Sequence, residues 1–115
     1  YFFTMFGFGL KDKAKKILEN DIGIHRPTPS WLNHIVKIGK QQDFNEYDIA
    51  INYCMTEWEF YINETIRSGD NKEYWHQQIQ SQRENLRKIE HLAHPDLDYR
   101  ERVNQIINKS KELIK

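Results

Sequence analysis

The sequence predicts an all-α protein, an antiparallel bundle of three long helices preceded by two shorter ones. Apolar side chains recur at intervals of three and four residues through most of the chain, which is the spacing of a packed helical face. Segments with glycine or proline separate these repeats, and no stretch alternates between polar and apolar residues long enough to predict a strand. The 115 residues are 38% hydrophobic and 13% aromatic, which is sufficient for the core of one domain.

The two shorter helices are predicted over residues 10–20 and 29–40. Gly23 follows the first and is its expected stop, because glycine adopts the left-handed conformation that commonly ends a helix. The second has Thr28 as its predicted N-cap and Pro29 at the first helical position.

The three long helices are predicted over residues 43–68, 71–94 and 97–114. The first opens with Asp43-x-x-Glu46, an aspartate form of the capping box. The second opens with a similar pair, Asp70-x-x-Glu73, and is expected to end at Pro95. Asp96 is the predicted cap of the third helix. Their apolar faces place two large side chains in the predicted core, Trp58 and Leu86.

The single cysteine suggests a cellular location. Cys54 has no partner for an intrachain disulfide, which favours the reducing cytoplasm. No apolar run approaches the roughly 20 residues of a membrane-spanning helix.

Residues 1–4 resemble the end of a cleavable expression tag, so the domain is expected to cover residues 5–115. If a longer native N-terminus was trimmed instead, Phe6 and Phe8 are candidates for contact with a membrane surface.

Charge is balanced over the chain but unevenly distributed along it. Seventeen basic and 17 acidic residues give zero net charge, so the overall basic field typical of nucleic-acid-binding proteins is missing and no specific nucleic-acid partner is expected. Residues 43–70 hold seven acidic groups and one basic group, whereas residues 1–42 hold seven basic groups and three acidic ones. Pairing between these two segments within the molecule is the simplest interpretation.

A second stripe on the first long helix, outside its apolar face, combines acidic and aromatic side chains: Glu46, Tyr53, Glu57, Phe60 and Glu64. Either another helix covers this stripe, or the stripe binds a basic, partly apolar surface of a protein partner or of a second copy of the chain. The sequence therefore predicts a non-enzymatic interaction module, such as an adaptor, an immunity-type protein or a regulator.

Two residues suggest an alternative function in RNA hydrolysis. The spacing of Arg87 and His94 resembles the Arg-x(4–6)-His motif of HEPN-type ribonucleases, which are also small all-α bundles. The resemblance covers only these two residues and the fold class, and Lys88 stands where that family usually has a polar Asn, Asp or His. It implies that His94 acts as acid or base and that Arg87 binds the scissile phosphate.

A third interpretation is a metal site. Glu73-x-x-His76 has the spacing with which ferritin-like bundles hold two metal ions, and such bundles use two copies of the motif. A second copy is missing from the sequence, so Glu73 and His76 are interpreted as a chance match. We expect neither a metal nor another cofactor.

Overall fold

The computed structural model describes residues 9–95 and 97–115, and within them every regular element is helical. The five helices are α1 (Leu10–Lys16), α2 (Pro29–Gln41), α3 (Glu46–Ser68), α4 (Lys72–Arg87) and α5 (Arg100–Glu112). A π-helical segment, Ile17–Ile22, extends α1, and a 3-10 turn, Glu90–Leu92, lies between α4 and α5. The predicted fold class is confirmed, while residues 1–8 and Asp96, with the predictions made for them, lie outside the described residues.

Helix α3 is the centre of the bundle, because it contacts each of the other four helices. Its Trp58 side chain is fully buried, as is Leu86 of α4, so both predicted core positions are confirmed. The indole Nε1–H of Trp58 donates a 2.7 Å hydrogen bond to Oε1 of the buried Gln82. This hydrogen bond joins α3 to α4 and satisfies the buried indole donor.

The first two helices begin and end close to the predicted residues. Gly23 adopts the left-handed conformation with φ 97°, and it ends the π-helical segment. Thr28 and Pro29 start α2 as predicted, but the Thr28 side chain makes no capping hydrogen bond. Its backbone N–H donates instead to the hydroxyl of Tyr53 on α3, at 2.6 Å.

The predicted start of α3 was wrong by a few residues. Asp43 has φ 62° and lies in the turn before the helix rather than capping it. The capping box is formed by Asn45 and Asp48: the Asn45 side chain accepts from the Asp48 N–H at 2.9 Å, and the Asp48 carboxylate accepts from the Asn45 N–H at 2.8 Å. Both pairs have the same i, i+3 spacing, so spacing alone does not show which pair forms the capping box.

Helix α4 starts later and ends earlier than predicted. It is preceded by Asn71, with φ 61° and no side-chain cap, so the Asp70–Glu73 box does not form. The helix ends at Arg87 and not at Pro95. Helix α5 likewise begins later than predicted, after Tyr99, whose side chain makes no capping hydrogen bond.

Contacts to α3 explain why α4 stops at Arg87. The fully buried Asp48 carboxylate accepts a 2.8 Å hydrogen bond from the backbone N–H of His94. The Asn45 side chain donates to the carbonyl of Leu92 at 3.1 Å. These bonds hold the segment after α4 against the start of α3, in a path that a continuous helix to residue 94 does not follow.

Candidate interaction surface

The structure divides the predicted acidic and aromatic stripe into a covered part and an open part. Tyr53 is fully buried and Glu57 is 7% exposed, whereas Phe60 is 43% exposed. Glu64 is partly exposed one turn beyond Phe60. Glu46 is also partly exposed, but it lies at the opposite end of α3, about 20 Å from Phe60 at 1.5 Å per residue.

The covered part of the stripe connects the start of α2 to α3. The Tyr53 hydroxyl accepts the Thr28 N–H and donates to Glu57 Oε1 at 3.1 Å. Burial raises the pKa of Tyr53 to about 12. Burial also raises the pKa of Glu57, and the hydrogen bond from Tyr53 offsets part of that rise. At Tyr53 the stripe is covered by α2 and the residue before it, as one of the two interpretations of the stripe expected.

The raised pKa of Glu57 gives a pH-dependent prediction. Between its ordinary value of 4.5 and its raised value in the folded protein, the folded state binds more protons than the unfolded state. Stability from this site is therefore lost as pH rises through that interval. We expect Glu57→Gln, which keeps an oxygen acceptor for Tyr53, to be more stable than the wild type at pH 7. This gain in stability is expected to disappear at pH values below 4.5, the ordinary pKa of the carboxyl.

Urea denaturation at a series of pH values measures this difference, and Glu59→Gln at a more exposed position of α3 is the matched control. A gain for Glu57→Gln that is constant across the whole pH range contradicts the interpretation, because it shows that ionisation of the buried carboxyl is not its source.

Five partly exposed aromatic side chains, which we call the aromatic row, continue from the open part of the stripe across three helices: Trp31, Phe60, Tyr61, Trp75 and Tyr74. Trp31 of α2 contacts Phe60 edge to face at 5.1 Å between ring centroids. Phe60 contacts Tyr61 in the same manner at 5.2 Å. Tyr61 stacks on Trp75 of α4 at 3.8 Å with an interplanar angle of 9°.

One end of the aromatic row is exposed to solvent, and the other end contacts the buried core. Tyr74 completes it with an edge-to-face contact of 5.2 Å on Trp75, and its side chain is 55% exposed. At the other end, Trp31 contacts the buried Tyr53 at 6.2 Å. Edge-to-face and stacked pairs are the favourable geometries for aromatic rings, so these contacts stabilise the observed arrangement of the row.

Of this row, only Phe60 was predicted from the sequence to lie on an interaction surface. Tyr61 and Trp75 follow the three- and four-residue spacing of the buried positions but are partly exposed. The signal that was available is the pair of adjacent aromatic residues on two neighbouring helices, Phe60–Tyr61 and Tyr74–Trp75. The contribution of Trp31 had no such signal, because it depends on how α2 crosses α3.

The two residues of the ribonuclease alternative line the same cleft, which has a volume of about 570 Å³. Because α4 ends at Arg87, Arg87 and His94 do not share a helical face. His94 is instead positioned by the bond from its backbone N–H to Asp48. RNA cleavage by this pair stays a prediction.

The residues of the metal alternative have separate surroundings. Glu73 is exposed in the first turn of α4. The His76 Nδ1–H donates to the backbone carbonyl of Ser110 on α5 at 3.0 Å. Within residues 9–95 and 97–115, no group of three or more His, Cys, Asp or Glu side chains is arranged to hold a metal ion.

Comparison with known proteins gives no match: no family model, curated protein or solved structure is significantly similar to this chain. In the described part of the chain, none of the helices combines the length and the apolar character needed to cross a membrane.

Proposed function

We propose that this protein is a protein-binding module whose contact surface is the aromatic row together with Glu64. The observation that carries the proposal is the row itself, in which the exposed edges of packed rings extend over α2, α3 and α4. Exposed aromatic side chains that are already ordered bury large apolar area on binding at little cost in conformational entropy. Such residues supply most of the binding energy in many protein interfaces.

The charge around the row defines the partner. Glu64 follows Phe60 by four residues, so the two side chains lie on the same face of α3. The Glu64 carboxylate accepts from the exposed Arg67, a surface pair that a basic partner can replace. Asp70, in the turn before α4, and Glu73, in the first turn of α4 beside Tyr74, are both exposed. Basic side chains bind both to carboxylates and to the faces of aromatic rings. The partner is therefore a segment that carries Lys or Arg next to apolar residues, on another protein or on a second copy of this chain.

A peptide-display selection on the purified protein tests this proposal. We expect the wild type to enrich peptides that combine Lys or Arg with aromatic or aliphatic residues, and their binding to weaken as salt rises. The same selection on Glu64→Lys is expected to lose the basic peptides, because the variant presents a like charge. If the wild type enriches no basic peptide that Glu64→Lys fails to enrich, the proposed partner chemistry is wrong.

A further inference from the structure

The cleft between the end of α4 and the start of α5, which we call the α4–α5 cleft, is large enough to hold a small molecule. Its volume of about 570 Å³ lies within the range of ligand-binding cavities. The apolar lining includes Ile51, Leu97 and Val103. Ile51 and Val103 are buried, so they form the floor. The aromatic row contributes no side chain to this cleft, which makes it independent of the proposed interaction surface.

Two arginines lie at the rim of this apolar floor, together with two carboxylates. Arg87 is the last residue of α4 and Arg100 is the first residue of α5, and both are exposed at the rim. Arg87 is 3.9 Å from Glu84, which is beyond hydrogen-bond distance, and both side chains are more than 60% exposed. Such a pair is weak, so the Arg87 guanidinium is available to a ligand.

Among the residues that the structure describes, the two carboxylates that line the cleft, Glu90 and Asp98, each accept a hydrogen bond. Glu90 accepts from the Arg83 guanidinium at 2.8 Å. Asp98 accepts the backbone N–H of Arg100 at 3.1 Å. The N-terminus of α5 also lies at the rim, and the helix dipole there favours a negative charge.

We infer that the α4–α5 cleft binds a small organic oxyanion, a molecule with an apolar ring or chain that carries one phosphate or carboxylate group. The apolar part lies on Ile51 and Val103, and the oxyanion lies between Arg87 and Arg100. Guanidinium groups bind both oxyanions with paired hydrogen bonds. The Asp48 carboxylate accepts the His94 N–H and the Asn45 side chain donates to the Leu92 carbonyl, and these two bonds hold one wall of the cleft in place before a ligand arrives.

Titration of the ¹⁵N-labelled protein with four small probes, followed by amide chemical shifts, tests this inference. The probes are phenyl phosphate, benzoate, benzyl alcohol and inorganic phosphate. We expect phenyl phosphate or benzoate to shift the amides of the α4–α5 cleft and to bind at least tenfold more tightly than the neutral alcohol or inorganic phosphate. The tighter of the two anions identifies the oxyanion.

The variant Arg87→Gln/Arg100→Gln is expected to weaken that binding at least tenfold, while Arg67→Gln, an exposed arginine on α3, leaves it unchanged. Equal binding of benzyl alcohol, equal binding of inorganic phosphate, or shifts confined to other residues overturns the inference. Incubation with a short single-stranded RNA completes the test. If the wild type cleaves the RNA and His94→Ala does not, the cleft is a ribonuclease site and the small-molecule inference is wrong.

Discussion

Replacing Trp58 with alanine is expected to lower the free energy of unfolding by about 3–5 kcal/mol. The indole is fully buried on the helix that contacts all the others. Its removal leaves a cavity at the centre of the bundle and takes away the 2.7 Å hydrogen bond to Gln82. Domains of this size are stable by only about 5–15 kcal/mol, so the loss is a large part of the total.

Urea denaturation followed by circular dichroism measures this effect. Trp58→Phe is the matched variant, because it keeps an aromatic ring in the core and loses the hydrogen bond, and we expect it to cost less than Trp58→Ala. The same denaturation midpoint for Trp58→Ala and the wild type contradicts the position of Trp58 in the core.

The helical fold was predictable because burial follows a local repeat. Side chains three and four residues apart lie on one helix face whatever the rest of the chain does, so Trp58 and Leu86 were recognisable as core positions from spacing alone. The helix end at Gly23 and the helix start at Pro29 were equally predictable, since each residue favours a backbone conformation independently of distant residues.

The end of α4 was not predictable, because distant groups determine it. Nothing between Arg87 and Pro95 breaks a helix by composition, and the chain leaves the helix where Asp48 and Asn45 bind its backbone. These partners are separated by 46 and 47 residues in sequence from the groups that they bind. A sequence pattern does not show such pairings.

The candidate surface was predictable only in part, for a related reason. Spacing on α3 placed Tyr53, Glu57, Phe60 and Glu64 on one stripe, but spacing does not indicate which part of a stripe a neighbouring helix covers. The first turn of α2 covers Tyr53 and leaves Phe60 partly exposed. The aromatic row combines side chains from three helices, α2, α3 and α4, so the repeat of any one helix does not show it.

Removing the two most exposed rings of the row is the second change with a large expected effect. Phe60 is 43% exposed and Tyr74 is 55% exposed, so the double variant Phe60→Ala/Tyr74→Ala leaves the buried core intact. Truncating an aromatic residue at the centre of an interface costs about 2 kcal/mol or more of binding free energy, which is roughly 30-fold in affinity. We expect the double variant to bind at least about 100-fold more weakly.

The matched control lies on the same helix. Ile66 is 62% exposed, and at 100° per residue it lies about 120° around α3 from Phe60, away from the row. Ile66→Ala therefore removes exposed apolar surface from α3 without changing the row. Circular dichroism and thermal melting of all three proteins show whether each variant is folded before its binding is compared.

The most direct test of the account is the dissociation constant of one selected basic peptide for the wild type, for Ile66→Ala and for Phe60→Ala/Tyr74→Ala. We expect Ile66→Ala to bind like the wild type and the folded double variant to lose at least about 100-fold in affinity. Equal affinity of the double variant and the wild type would contradict it, because the peptide would then be bound without the aromatic row.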